Sequence, residues 1–401
     1  MSSERAAGPE ISSAERLVTL LCGMPAAMTY TIMTPIMPKL VEMHGATASG
    51  KGMMIRLALT VVGISMALGS LLGGWLVRRI GVKRAVIGSA SVWIVAGCLD
   101  VFVGDLRPLI VLRFIEGAGT ASLMVSGVTL LGLLPDELKR GAMAGWQTLI
   151  ATVAGLVTQV LAGMIGDIQW RWVFLLHLLA LPIVLAAVRL PTHIAPPRTQ
   201  AVGGSGFWRR YPYALAALAF LFGLTTFAMS TFGPFLFHAL GVDKPSGIAA
   251  ATTASTFTAG VFAAMYGPLR RRLSAKMLFA VALATSTIGA TIVGLASSYW
   301  AVVGGLLLFG AGVGPLIPNL YALILGASPR ERAPILGIMK ALYYGSAFVA
   351  AAVFEPVMRA HGPHGVVFAV AGLLLALAIS VLLVFKQLSP LAPQPELAAE
   401  F

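Results

Sequence analysis

Twelve long apolar stretches, each bounded by charged residues or by Pro and Gly, run along this chain of 401 residues. They fall at 17–38, 55–77, 85–104, 108–134, 142–166, 172–190, 211–240, 247–268, 277–297, 301–326, 335–358 and 364–386. Within each stretch the apolar positions are continuous and do not alternate with a period of two. That excludes the strands of a membrane β-barrel and predicts helices. About 20 such residues cross a hydrocarbon layer about 30 Å thick. The pattern predicts an all-α integral membrane protein of twelve spans.

Composition strengthens this reading. Hydrophobic residues make up 58% of the chain and charged residues 11%, against about 25% charged in a soluble domain. The net charge of +13 does not mark a nucleic-acid surface. The basic residues sit in short clusters between apolar runs and not together on one polar face. With the N-terminus in the cytoplasm, 19 of the 28 Lys and Arg fall in the tails and even-numbered loops and 7 in the other loops. This bias places both termini inside. The polar first sixteen residues read as a tail and not as a cleaved signal. Cys22 and Cys98 lie in apolar runs without the spacing of a metal site. No phosphate-cradling G-x-x-x-x-G-K-[ST] is present, so ATP is not expected as the energy source; no His/Cys/Asp cluster has metal spacing and no enzyme constellation appears, so no metal, cofactor or enzymatic activity is expected.

Residues 191–210 hold Pro191, Pro196, Pro197 and Gly203-Gly204-Ser205-Gly206, and read as a cytoplasmic linker. It divides the chain into two six-helix bundles, 1–190 and 211–401. The halves echo each other. A Gly followed by a basic loop comes after span 2 (74–84) and again after span 8 (267–276), 193 residues on. A repeat on this scale predicts two homologous bundles with a site between them near the bilayer midplane.

These features resemble the major facilitator superfamily, over nearly the whole chain. The family's loop motif, G-x-L-a-D-r-x-G-r-k, is matched at Gly74, Leu76, Arg79, Gly81 and Lys83, with Arg78 in place of the acid. The resemblance implies a gating role for Gly74, Arg78, Arg79, Gly81 and Lys83. Arg113-Phe114-Ile115-Glu116-Gly117-Ala118-Gly119 is similar to the R-x-x-Q-G-x-G of the drug-exporter branch, with Glu for Gln. Trp170-Arg171-Trp172-Val173-Phe174 and Thr34-Pro35 to Pro38 resemble the same branch. The G-P-x-x-G-G run that proton antiporters of that branch carry in span 5 is missing; its nearest counterpart, Thr158-Gln159-Val160-Leu161-Ala162-Gly163, has no Pro. The resemblance implies a monomeric transporter of a bacterial-type inner membrane, working by alternating access and handling a small-molecule substrate, protons and lipid contacts. Proton-coupled export of drug-like or metabolite molecules is the leading expectation. Import of a small organic anion by proton symport is the alternative, and a non-transporting sensor or assembly partner a third.

Charge within a span costs about 2.5–3.5 kcal/mol to insert, so each instance calls for a reason. Arg113 and Glu116 lie three apart on one helix face. They read either as a proton-coupling pair, with Glu116 accepting the proton, or as a static ion pair. Lys340 reads either as a cation in the central cavity beside Tyr343 and Tyr344 or as a side chain snorkelling to the headgroups. In the family's fold, spans 1, 4, 7 and 10 line the cavity. That makes Tyr30, Thr34, Thr226, Phe227, Asn319 and Tyr321 candidates for substrate contact, with Trp146 and Gln147 of span 5. Asp100, Asp105 and Asp167 read as solvated residues near span ends, Glu355 as an interfacial residue, and His177 as a packing histidine. Gly69–Gly73, Gly141–Gly145 and Gly310–Gly314 have the spacing of close helix contacts.

Overall fold

The structure, a computed structural model, describes residues 12–43, 51–132, 137–191, 211–325 and 329–384. Among them every regular element is a helix. The spans are Ser13–Met43 (span 1), Lys51–Ile80 (2), Val82–Phe102 (3), Leu106–Leu131 (4), Glu137–Ile168 (5), Trp170–Val188 (6), Tyr213–Ala239 (7), Pro245–Ala264 (8), Ala275–Leu295 (9) and Tyr299–Leu323 (10). A last apolar stretch, Gly337–Leu383, is 47 residues long. At 1.5 Å per residue it would reach about 70 Å, twice the hydrocarbon thickness. It breaks at Gly362, whose φ of 66° and ψ of −168° are not helical. The break separates span 11 from span 12, which makes twelve spans among the described residues. Residues 192–210 of the expected linker lie outside the described residues.

Local chemistry sets the interruptions. Span 1 begins at a capping box between Ser12 and Glu15 and tightens to a 3₁₀ turn at Thr34–Ile36, where Pro35 has no N–H to give. Spans 2 and 3 are joined by Gly81 alone, at φ 82°, a conformation that glycine alone adopts without strain. Span 6 opens as a 3₁₀ helix over Trp170–Ala180. Its three-residue period puts Phe174, His177 and Ala180 on one inward row.

Glycines set the helix contacts. A side chain at Gly69 or Gly73 would run into Ala118 or Ser122 of span 4, and one at Gly310 or Gly314 into Ser255 or Ala259 of span 8. Gly145 meets nothing within 4 Å, so its GxxxG spacing makes no such contact. Two contacts repeat along the chain. Gly117 packs on Val62 and Ser65, and Gly310 on Ser255 and Thr258. Gly119 packs on Ser89 and Trp93, and Gly312 on Ala282 and Ser286. Each of these residues lies 193 positions from its counterpart, the offset of the two basic loops.

Buried apolar residues form one cluster within 211–381 and a second within 18–190 joined by Phe235. A small third cluster, Val62, Met66 and Ala121, lies between Tyr30 and Tyr344. Tyr30 packs against all three.

Candidate functional site

Span 4 carries the most deeply placed charges. Arg113 and Glu116 are both 0% exposed. The Arg113 Nη1 lies 2.5 Å from the Glu116 Oε2, and its Nη2 donates to the Thr29 carbonyl at 2.9 Å. The Thr29 hydroxyl accepts from the Trp93 indole at 2.9 Å, which ties spans 1, 3 and 4 together. The other carboxylate oxygen of Glu116 lies 3.1 Å from the His177 Nε2. That is ion-pair distance without the alignment of a hydrogen bond. The His177 ring lies 4.5 Å from that of Trp93, in space that a side chain at Gly97 would fill.

Two expectations are corrected here. Asp100 is not solvated: it is 1% exposed, and neither of its carboxylate oxygens has a hydrogen-bond partner among the described residues. The chain turns into a 3₁₀ helix at Asp100–Phe102, which keeps this carboxylate inside the bundle although it stands near a span end. His177 is not a lone packing histidine. Its partner on span 4 is 61 residues away, a distance that helical periodicity does not register. Asp105 is exposed and caps span 4, as its position predicted. Asp167 is exposed, and its carboxylate accepts from the Ser246 N–H of span 8 at 3.0 Å.

A second group gathers aromatic rings between the halves. Phe227 of span 7 lies 5.1 Å from Tyr30, 5.2 Å from Tyr343 and 6.3 Å from Tyr344, centroid to centroid. The Tyr30 hydroxyl is buried with no partner. Thr226 bonds back to the Phe222 carbonyl and touches Tyr343. One turn along span 11, the Lys340 ammonium sits 5.8 Å from the Tyr321 ring centre. No carboxylate lies within ion-pair distance of Lys340 among the described residues. Of the sequence candidates, Tyr30, Thr226, Phe227, Tyr321, Lys340, Tyr343 and Tyr344 therefore come together.

The rest do not join them. Thr34 is buried and bonds its own helix at the Tyr30 carbonyl. Gln147 donates to the Thr19 carbonyl, bracing span 5 on span 1. Asn319 donates to the Ala275 carbonyl, bracing span 10 on the start of span 9. Trp146 is 61% exposed. In the loop motif, Arg78 and Arg79 are exposed at the end of span 2, and Arg79 stacks on Trp75 at 5.4 Å.

A third group closes one end of the molecule. Arg56 of span 2, 6% exposed, grips the Glu355 carboxylate of span 11 through Nε at 2.6 Å and Nη2 at 2.5 Å. Arg359 holds the other Glu355 oxygen at 2.9 Å. Phe232 and Phe235 of span 7 lie 5.3 and 5.6 Å from the Arg56 guanidinium carbon. Glu355 is thus a buried inter-span ion pair and not a residue at the interface. At the same end spans 5 and 8 touch through Gly163 and Ala249, and through Gly166 and Pro245. Sequence spacing gave no sign of Arg56 with Glu355, since 299 residues separate them.

Comparison with known proteins places this architecture. The family model described as Major Facilitator Superfamily matches residues 19–251 and 215–400. The multidrug export protein EmrB of Haemophilus influenzae is 30% identical over 146 residues, 36% of this chain and 28% of that protein. The methylenomycin A resistance protein of Streptomyces coelicolor is 33% identical over 110 residues, 27% of this chain and 23% of that protein. The chain thus spans about a quarter of the length of these relatives. Among solved structures, a D-xylose-proton symporter superposes with a TM-score of 0.77 at 15% identity, covering 94% of this chain and 98% of that one. A point mutant of the nucleoside transporter NupG gives 0.73 at 14%, covering 93% and 100%. At such identities the likeness shows the fold alone. With a family match over most of the chain and twelve spans among the described residues, the chain is a multi-pass membrane protein that belongs to the major facilitator superfamily.

Proposed function

We propose that this protein exports drug-like or metabolite small molecules by exchanging them for protons. The observation that carries the reading is the Arg113–Glu116 pair, fully buried in span 4. A buried ion pair seldom adds stability over an apolar pair of the same size, so its retention calls for another role. A carboxylate that exchanges its Arg113 contact for a proton supplies that role. The named relatives, a multidrug exporter and an antibiotic-resistance protein, favour export. The aromatic group around Phe227 suits an apolar substrate body, because sites of this kind are mostly apolar with few polar anchors.

Alternating access then follows from the two ends. The Arg56–Glu355–Arg359 contact holds spans 2 and 11 together. With the Lys and Arg bias setting both termini in the cytoplasm, that latch faces outward and the loop with Arg78 and Lys83 faces inward. The six-helix units 1–190 and 211–401 rock about the aromatic group, with 191–210 as their linker. The setting is a bacterial inner membrane and the working unit a monomer.

The test is proton flux in proteoliposomes that enclose a pH dye, with lipophilic cations, neutral drugs and small carboxylates added singly. A Glu116→Gln variant runs in parallel. Proton movement opposite to substrate, lost in the variant, is the expected result. Substrate flux with an unchanged proton signal in the variant would overturn the role of Glu116, and binding without any flux would indicate a sensor. A second reading, import of a small organic anion by proton symport, is favoured by Lys340, which has an aromatic but no acidic neighbour among the described residues. Substrate and proton moving in the same direction would select it.

A further inference from the structure

Glu116 is fully enclosed, so a proton reaches it only through neighbouring groups. The ionisable groups facing it are Arg113 on its own helix, His177 of span 6, Asp100 of span 3 and Tyr30 of span 1. Arg113 stays charged and a tyrosine stays neutral at ordinary pH. His177 and Asp100 remain. The His177 Nδ1 lies 2.7 Å from the Phe174 carbonyl, an acceptor, so Nδ1 keeps its hydrogen. The variable position is Nε2, and it faces the Glu116 Oε1 at 3.1 Å. A neutral imidazole with Nδ1–H would turn a lone pair toward a carboxylate. An imidazolium, or a protonated Glu116, removes that conflict. The cluster is built to hold one proton between these two residues.

The second half of the chain acts as an internal control. At the 193-residue offset, Arg113, Glu116, His177 and Asp100 correspond to Leu306, Phe309, Val370 and Val293. All four counterparts are buried in the apolar core. The fold packs these places with hydrocarbon when no charge is needed.

We propose that His177 is the proton partner of Glu116. The proton moves from Nε2 of an imidazolium to Oε1 of Glu116: an N–H bond breaks, an O–H bond forms, imidazole becomes neutral and the carboxylate becomes a carboxyl. Arg113 is then released from its ion pair, which connects protonation to the packing of span 4 on span 1 through Thr29. This inference rests on the reading of Glu116 as the proton site, and its test needs no substrate.

The probe is the proton itself, and the reporter is Trp93, 4.5 Å from the His177 ring. An imidazolium quenches a neighbouring indole more strongly than a neutral imidazole does. The full chain in detergent is titrated from about pH 5 to about pH 9, the range in which histidine changes charge. The expected result is a quenching step in the native protein that is lost in His177→Gln, which removes the titrating ring, and also in Trp93→Phe, which removes the reporter together with its bond to the Thr29 hydroxyl. Its midpoint should move in Glu116→Gln, which removes the carboxylate facing Nε2 at 3.1 Å. No Trp93-dependent step in the native protein, or a step unmoved by Glu116→Gln, would overturn the proposal. A lost proton flux in Glu116→Gln alongside a failed titration would leave the export reading standing and refute the partner assigned here.

Discussion

The meeting of spans 3, 4 and 6 and the corresponding meeting of spans 9, 10 and 12 share one backbone design and differ in chemistry. In both, a glycine of the later helix lies on the earlier one: Gly119 on Ser89 and Trp93, Gly312 on Ala282 and Ser286. In the first half the space beside that contact holds Trp93, Arg113, Glu116 and His177. In the second half two further glycines close it. A side chain at Gly289 would strike the Phe309 backbone, and one at Gly305 the Gly289 carbonyl. Burying a charged pair in place of hydrocarbon of similar volume is often neutral or unfavourable by about 1–4 kcal/mol. The second half therefore shows the packing that stability alone favours, and the first half departs from it. On the proposed reading the proton-carrying groups lie in the first half, and their counterparts in the second half are packed with hydrocarbon.

The largest expected effect breaks the first half. Arg113→Leu leaves the Glu116 carboxylate buried with no guanidinium and frees the Thr29 carbonyl. Removing one partner of a buried pair costs about 3–5 kcal/mol. Thermal unfolding in detergent should show a clear loss, and the double variant Arg113→Leu with Glu116→Phe, the second half's solution, should recover most of it. Recovery of stability without recovery of proton-coupled flux separates the two roles of the pair. If the double variant is no more stable than the single one, the two halves are not interchangeable in packing.

A smaller effect tests the second half. Gly289→Ala places a methyl group against the Phe309 backbone nitrogen and the Gly305 carbonyl, neither of which can swing aside as a side chain does. Overpacking of this kind costs about 1–3 kcal/mol. The variant should unfold at lower temperature while its proton-to-substrate ratio stays native. A changed ratio would mean that coupling is not confined to the first half.

Much of this was legible before any coordinates, and the boundary of what was legible is physical. The spans follow from hydrophobic length, and the break at Gly362 falls in the gap expected between 358 and 364. Arg113 and Glu116 were readable as a pair because three residues separate them on one helix. His177 and the Arg56–Glu355 latch were not, because their partners lie on other helices and no periodicity connects them, and the burial of Asp100 was not, because it depends on the 3₁₀ turn at the end of span 3. One signal was available for His177. The offset of 193, already visible in the two basic loops, sets a histidine opposite Val370 and an aspartate opposite Val293. A polar residue whose repeat partner is apolar marks a place where the fold does not require polarity. The same comparison sets Gln147 opposite Lys340, two residues both taken as cavity-lining, of which only the lysine meets the aromatic group.

That last pair supplies the smallest expected effect. Gln147 donates to the Thr19 carbonyl, so its amide is committed to bracing spans 5 and 1. Lys340 has an aromatic face and no carboxylate within ion-pair distance among the described residues, so its charge is free for a substrate. Removing it should leave the fold and the proton site intact and act on substrate choice. Lys340→Met keeps the length and the apolar stem of the side chain. A partly screened contact of one charge with a carboxylate is worth about 1 kcal/mol, so KM for small carboxylates should rise by about fivefold. Neutral substrates should be carried with unchanged KM, and kcat should hold for both. An equal loss for charged and neutral substrates would make Lys340 a packing residue of span 11, and the asymmetry between the halves would then lie in the proton site alone.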